Sequence, residues 1–153
     1  MKSRTVTHEP ALHETALKSD ACYIAMVDES GAPYVIPMNF GLQDGIVYLH
    51  SAQEGKKITI LKKNPKVCIC FSNDHLLRWQ SEGVACSYGM KYRSVLAHGR
   101  VEFIDPDEEK ISALNVIMRH YTGKDFTYTA PSVKEVMIWR VIVEKWEGRN
   151  YGY

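Results

Sequence analysis

"PYVIPMNFGLQDGIVYLHSAQEGKKITIL", residues 33–61, carries most of the information about how this chain folds. Its first ten residues read as a strand interrupted by Pro37. A proline cannot donate to a ladder, so it marks an edge, a bulge or a place where pairing stops. Asp44-Gly45 is a strong hairpin signal and leads into a second apolar run, "IVYLHS". That run ends in His50 and Ser51, crosses a short loop to Gly55, and gives way to a short helix, "KKITILKKN", closed by Asn64-Pro65. Two lysines in a first helical turn oppose the helix macrodipole, at about 0.3 kcal/mol each. A bound anion would reverse that sign.

Working outward, "EPALHETALKSD" (9–20) reads as a short amphipathic helix with Pro10 in its first turn and Leu12, Ala16 and Leu17 as its stripe. "ACYIAMVD" is a strand and "ESGAP" a turn. Downstream, "KVCICFS" is another strand, and "NDHLLRWQSEGVACSYGMK" carries no clear period. "YRSVLAHGRVEFI" is a long strand. The best helix signal follows, with Asp105 as N-cap, Pro106 at the first helical position, Glu108 behind it, and Ile111, Leu114, Ile117, Met118 and Tyr121 along one side. After the polar loop "TGKDFTYTAPS", the strand "VKEVMIWRVIVEKWEG" closes the pattern. Hairpin-linked strands separated by few helices predict a mainly β fold, an antiparallel β-barrel with flanking helices, as one domain over residues 1–153.

Bulk properties narrow the partners. The chain has 153 residues, 24% charged and 45% hydrophobic, with a net charge of +1. That balance gives no global field toward nucleic acid or an anionic membrane, so any anion site is local. "MKSRTVTHEP" lacks an apolar leader core, and no run approaches the roughly 18 apolar residues of a membrane span. The expectation is a cytoplasmic protein with no nucleic-acid or membrane partner. Cys68 and Cys70 form C-x-C within a strand, without the knuckle spacing of a zinc site, so no metal is expected. They read, with Cys22 and Cys86, as reduced thiols.

The strand–loop–helix unit is a local anion site. Helix-start N–H groups at Gly55, Lys56 and Lys57 lack intrahelical partners, and Ser51 can add a hydroxyl. It is not a P-loop, because His50 stands where that pattern needs glycine and Lys57 where it needs a hydroxyl. Nearby, Asn39 lies between Met38 and Phe40, and Tyr92, Arg93 and Ser94 open the long strand, with alternation sending Arg93 to the opposite face. A flat heterocycle with a phosphate tail needs apolar faces, polar edge partners and such a cradle.

The order "G-x-P-Y-V-I-P-M-N-F-G", "Y-L-H-S-A-x-E-G-K-K" and "Y-R-S-V-x-x-x-G-x-V-E-F" resembles the pyridoxamine 5′-phosphate oxidase-like flavin-binding split barrels, and within them the 5-nitroimidazole-resistance proteins. The resemblance runs from about residue 9 to residue 146. It implies an antiparallel split β-barrel of the FMN-binding type, a homodimer with FMN, or FAD, in a groove shared by two subunits. Pro37, Met38, Asn39 and Phe40 would then lie along the flavin ring. His50, Ser51 and Ala52 would flank the ribityl–phosphate region, Gly55, Lys56 and Lys57 would hold the phosphate, and Tyr92, Arg93, Ser94 and Val95 would touch the flavin. Trp139, Trp146 and Arg149 are candidates for a C-terminal contact, with Trp139 placed among the cofactor-binding residues. The resemblance implies a catalytic role for His50 as proton donor; the other reading is a structural partner to the phosphate. His75 and His98 read as ordinary polar residues.

The implied function is a flavin-dependent oxidoreductase acting on a small nitroaromatic. The alternatives are a non-catalytic flavin- or haem-binding module and a pyridoxamine-phosphate-oxidase-like oxidase. The last lacks a match to its substrate-phosphate arginine and histidine. A plain structural barrel completes the set.

Overall fold

A computed structural model describes residues 2–153. In chain order its elements are β1 (Ser3–Val6), α1 (Glu9–Leu17), β2 (Cys22–Val27), β3 (Pro33–Met38), β4 (Gly41–Gln43), β5 (Ile46–Ala52), α2 (Lys56–Lys63), β6 (Lys66–Arg78), β7 (Gly89–Ile104), α3 (Asp107–Thr122), α4 (Ala130–Lys134) and β8 (Val136–Tyr151). The strands form one antiparallel sheet in the order β3-β2-β6-β7-β8-β5-β4, and β1 also pairs with β8.

The two ends of that order, β3 and β4, are consecutive in the chain and separated only by Asn39 and Phe40. The sheet curls round its core until its edges are joined by backbone instead of by a ladder. This is a split barrel, as expected. Pro37 fits because β3 is an edge strand that pairs only with β2, where it faces Tyr23. Asp44 and Gly45 both take positive φ, 53° and 74°, as the tight turn between β4 and β5 requires.

Inward-facing residues at alternate positions of β2, β5, β6, β7 and β8, with Phe40 from the crossover, fill the barrel: Ile24, Met26, Leu49, Ile69, Phe71, Val95 and Trp139 are among them. Helix α3 lays Ala113, Leu114, Val116 and Ile117 over the outside of the barrel beside β4 and β5. The approach is close: a Cβ at Gly41 would stand 2.7 Å from the backbone of Val116 and Ile117. Only glycine lets the strand meet the helix there.

Some expectations shift. The α3 helix begins at Asp107 with Pro106 as its N-cap, one residue later than Asp105 and Pro106 predicted, because no side chain caps it. Asp107, Glu108 and Glu109 fill its first turn and favour the macrodipole instead. Tyr121 is not in the apolar stripe but 40% exposed, its hydroxyl bonded to Asp20 and Phe40. The unreadable segment 73–91 continues β6 and β7 as a paired arm. β1 and α4 were not legible at all. All four cysteines are free, Cys68 and Cys70 half-buried on one face. No helix among the described residues is long and apolar enough to cross a membrane, and no group of three or more His, Cys, Asp or Glu among them could hold a metal ion.

Candidate functional site

The cradle forms where β5 runs out. Gly55 caps α2 at φ 122°, a conformation that favours glycine, and a Cβ there would meet nothing within 4 Å. The glycine answers to backbone path, not to crowding. The side-chain amide of Gln53 donates to the carbonyl of Lys134, tying the loop to α4. No acidic residue sits in the first turn of α2, so its free N–H groups keep their positive character.

Lys56 leans toward edge strand β3, its Nζ 4.7 Å from the centre of the Tyr34 ring. It borders a cleft of about 380 Å³ shared with Asp28, Glu29, Ser30, Thr59 and Lys63. Hydrogen bonds from the Ser30 hydroxyl and the Ala32 amide hold the Asp28 carboxyl below the usual carboxylate range, and the Lys56 charge adds to this. Lys63 pairs with Glu29. Lys57 is half-buried, and neither Lys56 nor Lys57 has a carboxylate partner among the described residues. Their chemistry fits an anion: two ammonium groups beside a helix start, neither held in an ion pair.

Alternation parts His50 from Ser51. His50 faces Ile138, which packs under Ala113 and Leu114 of α3, so the imidazole belongs to the helix-covered side. Its Nδ1 is buried with no partner, and burial pushes its pKa below the ordinary histidine value. Ser51 lies opposite Met137, and its hydroxyl donates to the neighbouring Ala52 carbonyl at 2.8 Å.

At the crossover between β3 and β4, Pro37 and Asn39 are exposed and Met38 packs inward. Phe40 does not offer its ring to a ligand. It is fully buried, 4.9 Å from Phe71 and 4.4 Å from His120, and its N–H is taken by the Tyr121 hydroxyl. Tyr92 and Ser94 line a second groove of about 520 Å³ on the outer sheet face with Thr5, Leu96, Glu147, Gly148 and Arg149. Arg93 points to the other face, as alternation predicted, and is committed there to Asp74 at 2.8 Å and to the ring of Tyr153. Val95 is buried.

Trp139 is a correction. It has no exposed surface and packs in the barrel centre beside Phe103, so it reaches no groove. Trp146 stacks edge-on against His13. Of the three C-terminal candidates, Arg149 lines the outer groove. Thr5, which shares that groove, was missed because "SRTV" is polar and has no period. His75 and His98 are engaged as ordinary polar residues, with Ser72 and Glu147.

The candidates thus form two groups. Pro37 faces Tyr23, Tyr23 faces Cys70, and Cys70 faces Leu96, which sets the β3 crossover three ladders from β7. At about 4.8 Å per ladder and 3.3 Å per residue, Lys56 over Tyr34 lies on the order of 20 Å from Ser94. One chain does not bring the cradle and the outer groove together.

A family model described as pyridoxamine 5′-phosphate oxidase matches residues 10–150. The chain belongs to that family. Among solved structures, it resembles a candidate 5-nitroimidazole antibiotic resistance protein from Bacteroides thetaiotaomicron, at 42% identity and a TM-score of 0.88, over 97% of this chain and 87% of that one. It shares its fold with an FAD and haem binding protein from Mycobacterium smegmatis, at 16% identity and a TM-score of 0.83, over 97% and 74% of the two chains. The same holds for an FAD-binding protein from Mesorhizobium loti, at 21% identity and a TM-score of 0.72, over 99% and 100%. No curated protein matches the chain significantly.

Proposed function

We propose that two copies of this pyridoxamine 5′-phosphate oxidase family member hold a flavin, FMN or FAD, in a shared groove and use it to reduce small nitroaromatic compounds. The observation that carries the reading is the separation of the two groups. The cradle at Gly55, Lys56 and Lys57 lies beside the β3 crossover, while Tyr92, Ser94 and Arg149 lie on the order of 20 Å away. A twofold dimer that sets one outer sheet face against the other brings one copy's cradle to the second copy's groove. The nitroaromatic part rests on the similarity to the Bacteroides protein.

Bound flavin would carry electrons from an external reductant to the nitro group in repeated two-electron turns. The chain does the rest. Lys56, Lys57 and the first-turn N–H groups of α2 hold the phosphate. Pro37, Met38 and the Asn39 amide border the ring. His50, kept neutral by burial, is no counter-charge to a phosphate, and its imidazole is the proposed proton carrier. The four free thiols suit a reducing cytoplasm.

The test is to release the small molecule from purified protein with acid and identify it by absorbance and mass, then to assay turnover of a 5-nitroimidazole with reduced cofactor. FMN or FAD together with amine formation is expected. A protein that carries no flavin and takes up neither would overturn the reading; a flavin without turnover, or haem in its place, would leave a storage module instead of a reductase.

A further inference from the structure

Beyond the register shift at Asn73–Leu76, β6 and β7 leave the barrel as a two-stranded arm paired only with itself, Leu76 to Lys91, Leu77 to Met90 and Arg78 to Gly89. Thirteen large apolar residues are exposed among the described residues, and six of them are here: Leu76, Leu77, Trp79, Val84, Tyr88 and Met90. Leu76 and Leu77 are adjacent, so both faces of the arm are apolar and uncovered. An isolated two-stranded hairpin is marginal in water, and an exposed apolar patch of this kind marks a contact surface.

The arm is nevertheless built to a shape. Trp79 stacks on Tyr88 with ring centres 5.4 Å apart and planes 17° from parallel. The Tyr88 hydroxyl donates to the Glu82 carbonyl, and the Ser87 hydroxyl accepts the Ser81 N–H and donates to the Ser81 carbonyl. At the base, Asp74 takes positive φ in the bulge and is gripped by Arg93 and by the Tyr153 hydroxyl. The bulge aims the arm, and contacts within the one chain shape its tip.

We infer that Trp79 and Tyr88 form the far wall of the flavin groove on a second copy of this chain. This rests on the shared-groove reading above. The occupant is a second copy because the arm is the direct continuation of the strand that carries Tyr92 and Ser94. Any twofold that delivers those residues to the other cradle delivers the arm with them. The landing surface is also present, since Tyr23 and Val35 leave 51% and 61% of their surface exposed on the outer face of β2 and β3 beside Pro37. A stacked aromatic pair presented to a flat ring offers a large apolar contact at little cost in side-chain freedom.

The test uses heterodimers of the full chain. One copy carries Lys56→Ala and Lys57→Ala, the other Trp79→Ala and Tyr88→Ala, each with its own tag, and doubly tagged dimers are titrated with FMN. Wild-type dimers are expected to take two FMN, and each variant homodimer to bind with Kd raised at least roughly tenfold. The heterodimer is expected to regain one site at wild-type affinity, because one cradle then meets one intact arm. No restored site, or an arm variant that keeps two wild-type sites, overturns the inference while leaving flavin binding intact. Wild-type protein that binds neither FMN nor FAD sinks both. Trp79 emission, isolated by comparison with Trp79→Phe, gives a readout independent of assembly: FMN should quench it in wild type, and unchanged emission with both sites filled overturns the inference.

Discussion

The Tyr121 hydroxyl accepts the N–H of Phe40 at 3.2 Å and donates to the carbonyl of Asp20 at 2.9 Å. One phenol from the end of α3 therefore fastens the crossover that joins the two sheet edges to the loop entering β2. Tyr121→Phe leaves the ring and removes both bonds. The site is partly open to water, so the cost is about 1 kcal/mol, read as a lower urea midpoint with unchanged slope.

Trp139 belongs to the core rather than to the cofactor. Trp139→Ala should destabilise the protein by about 3–5 kcal/mol through lost burial and the cavity it leaves. Denaturant unfolding measures this. A change in flavin affinity without loss of stability would return Trp139 to the site.

His50 makes stability depend on pH. Its folded pKa lies below the ordinary 6.5 because burial disfavours the charged form. The unfolded chain therefore binds more protons in that window, and the contribution is full above pH 6.5 and is lost as pH falls toward the folded value. His50→Gln should flatten that part of a melting-temperature profile measured from neutral pH downward.

Thiol reactivity should rank by burial. The Cys22 thiol, enclosed in the barrel, is pushed up to about 12, and burial also raises Cys68 and Cys70. Cys86 is exposed on the arm. Titration of native protein with a thiol-specific reagent should leave Cys22 unreacted until the protein is denatured.

Where one face of a strand was covered and the other free, the sequence could be read. The Asp44-Gly45 turn, the edge proline and the strand–Gly55–helix unit all carry local chemistry that survives folding unchanged. Trp139 was placed at the flavin by the resemblance alone, and alternation could not correct it because β8 is covered on both sides there, by the barrel core and by α3. Ile138 and Trp139 are both buried, and alternation vanishes. The arm failed for the opposite reason. Leu76 and Leu77 share exposure because neither face has a cover within the chain. The distance between the two candidate groups was not legible either, since it follows from ladder register and not from spacing.

The most direct check is an equilibrium titration of cofactor-free protein with FMN, wild type against Lys56→Ala/Lys57→Ala. Losing two charge-assisted contacts to the phosphate should weaken binding about 100-fold or more, while riboflavin, which has no phosphate, binds both proteins alike. Equal FMN affinity in the two proteins would contradict the cradle at the start of α2.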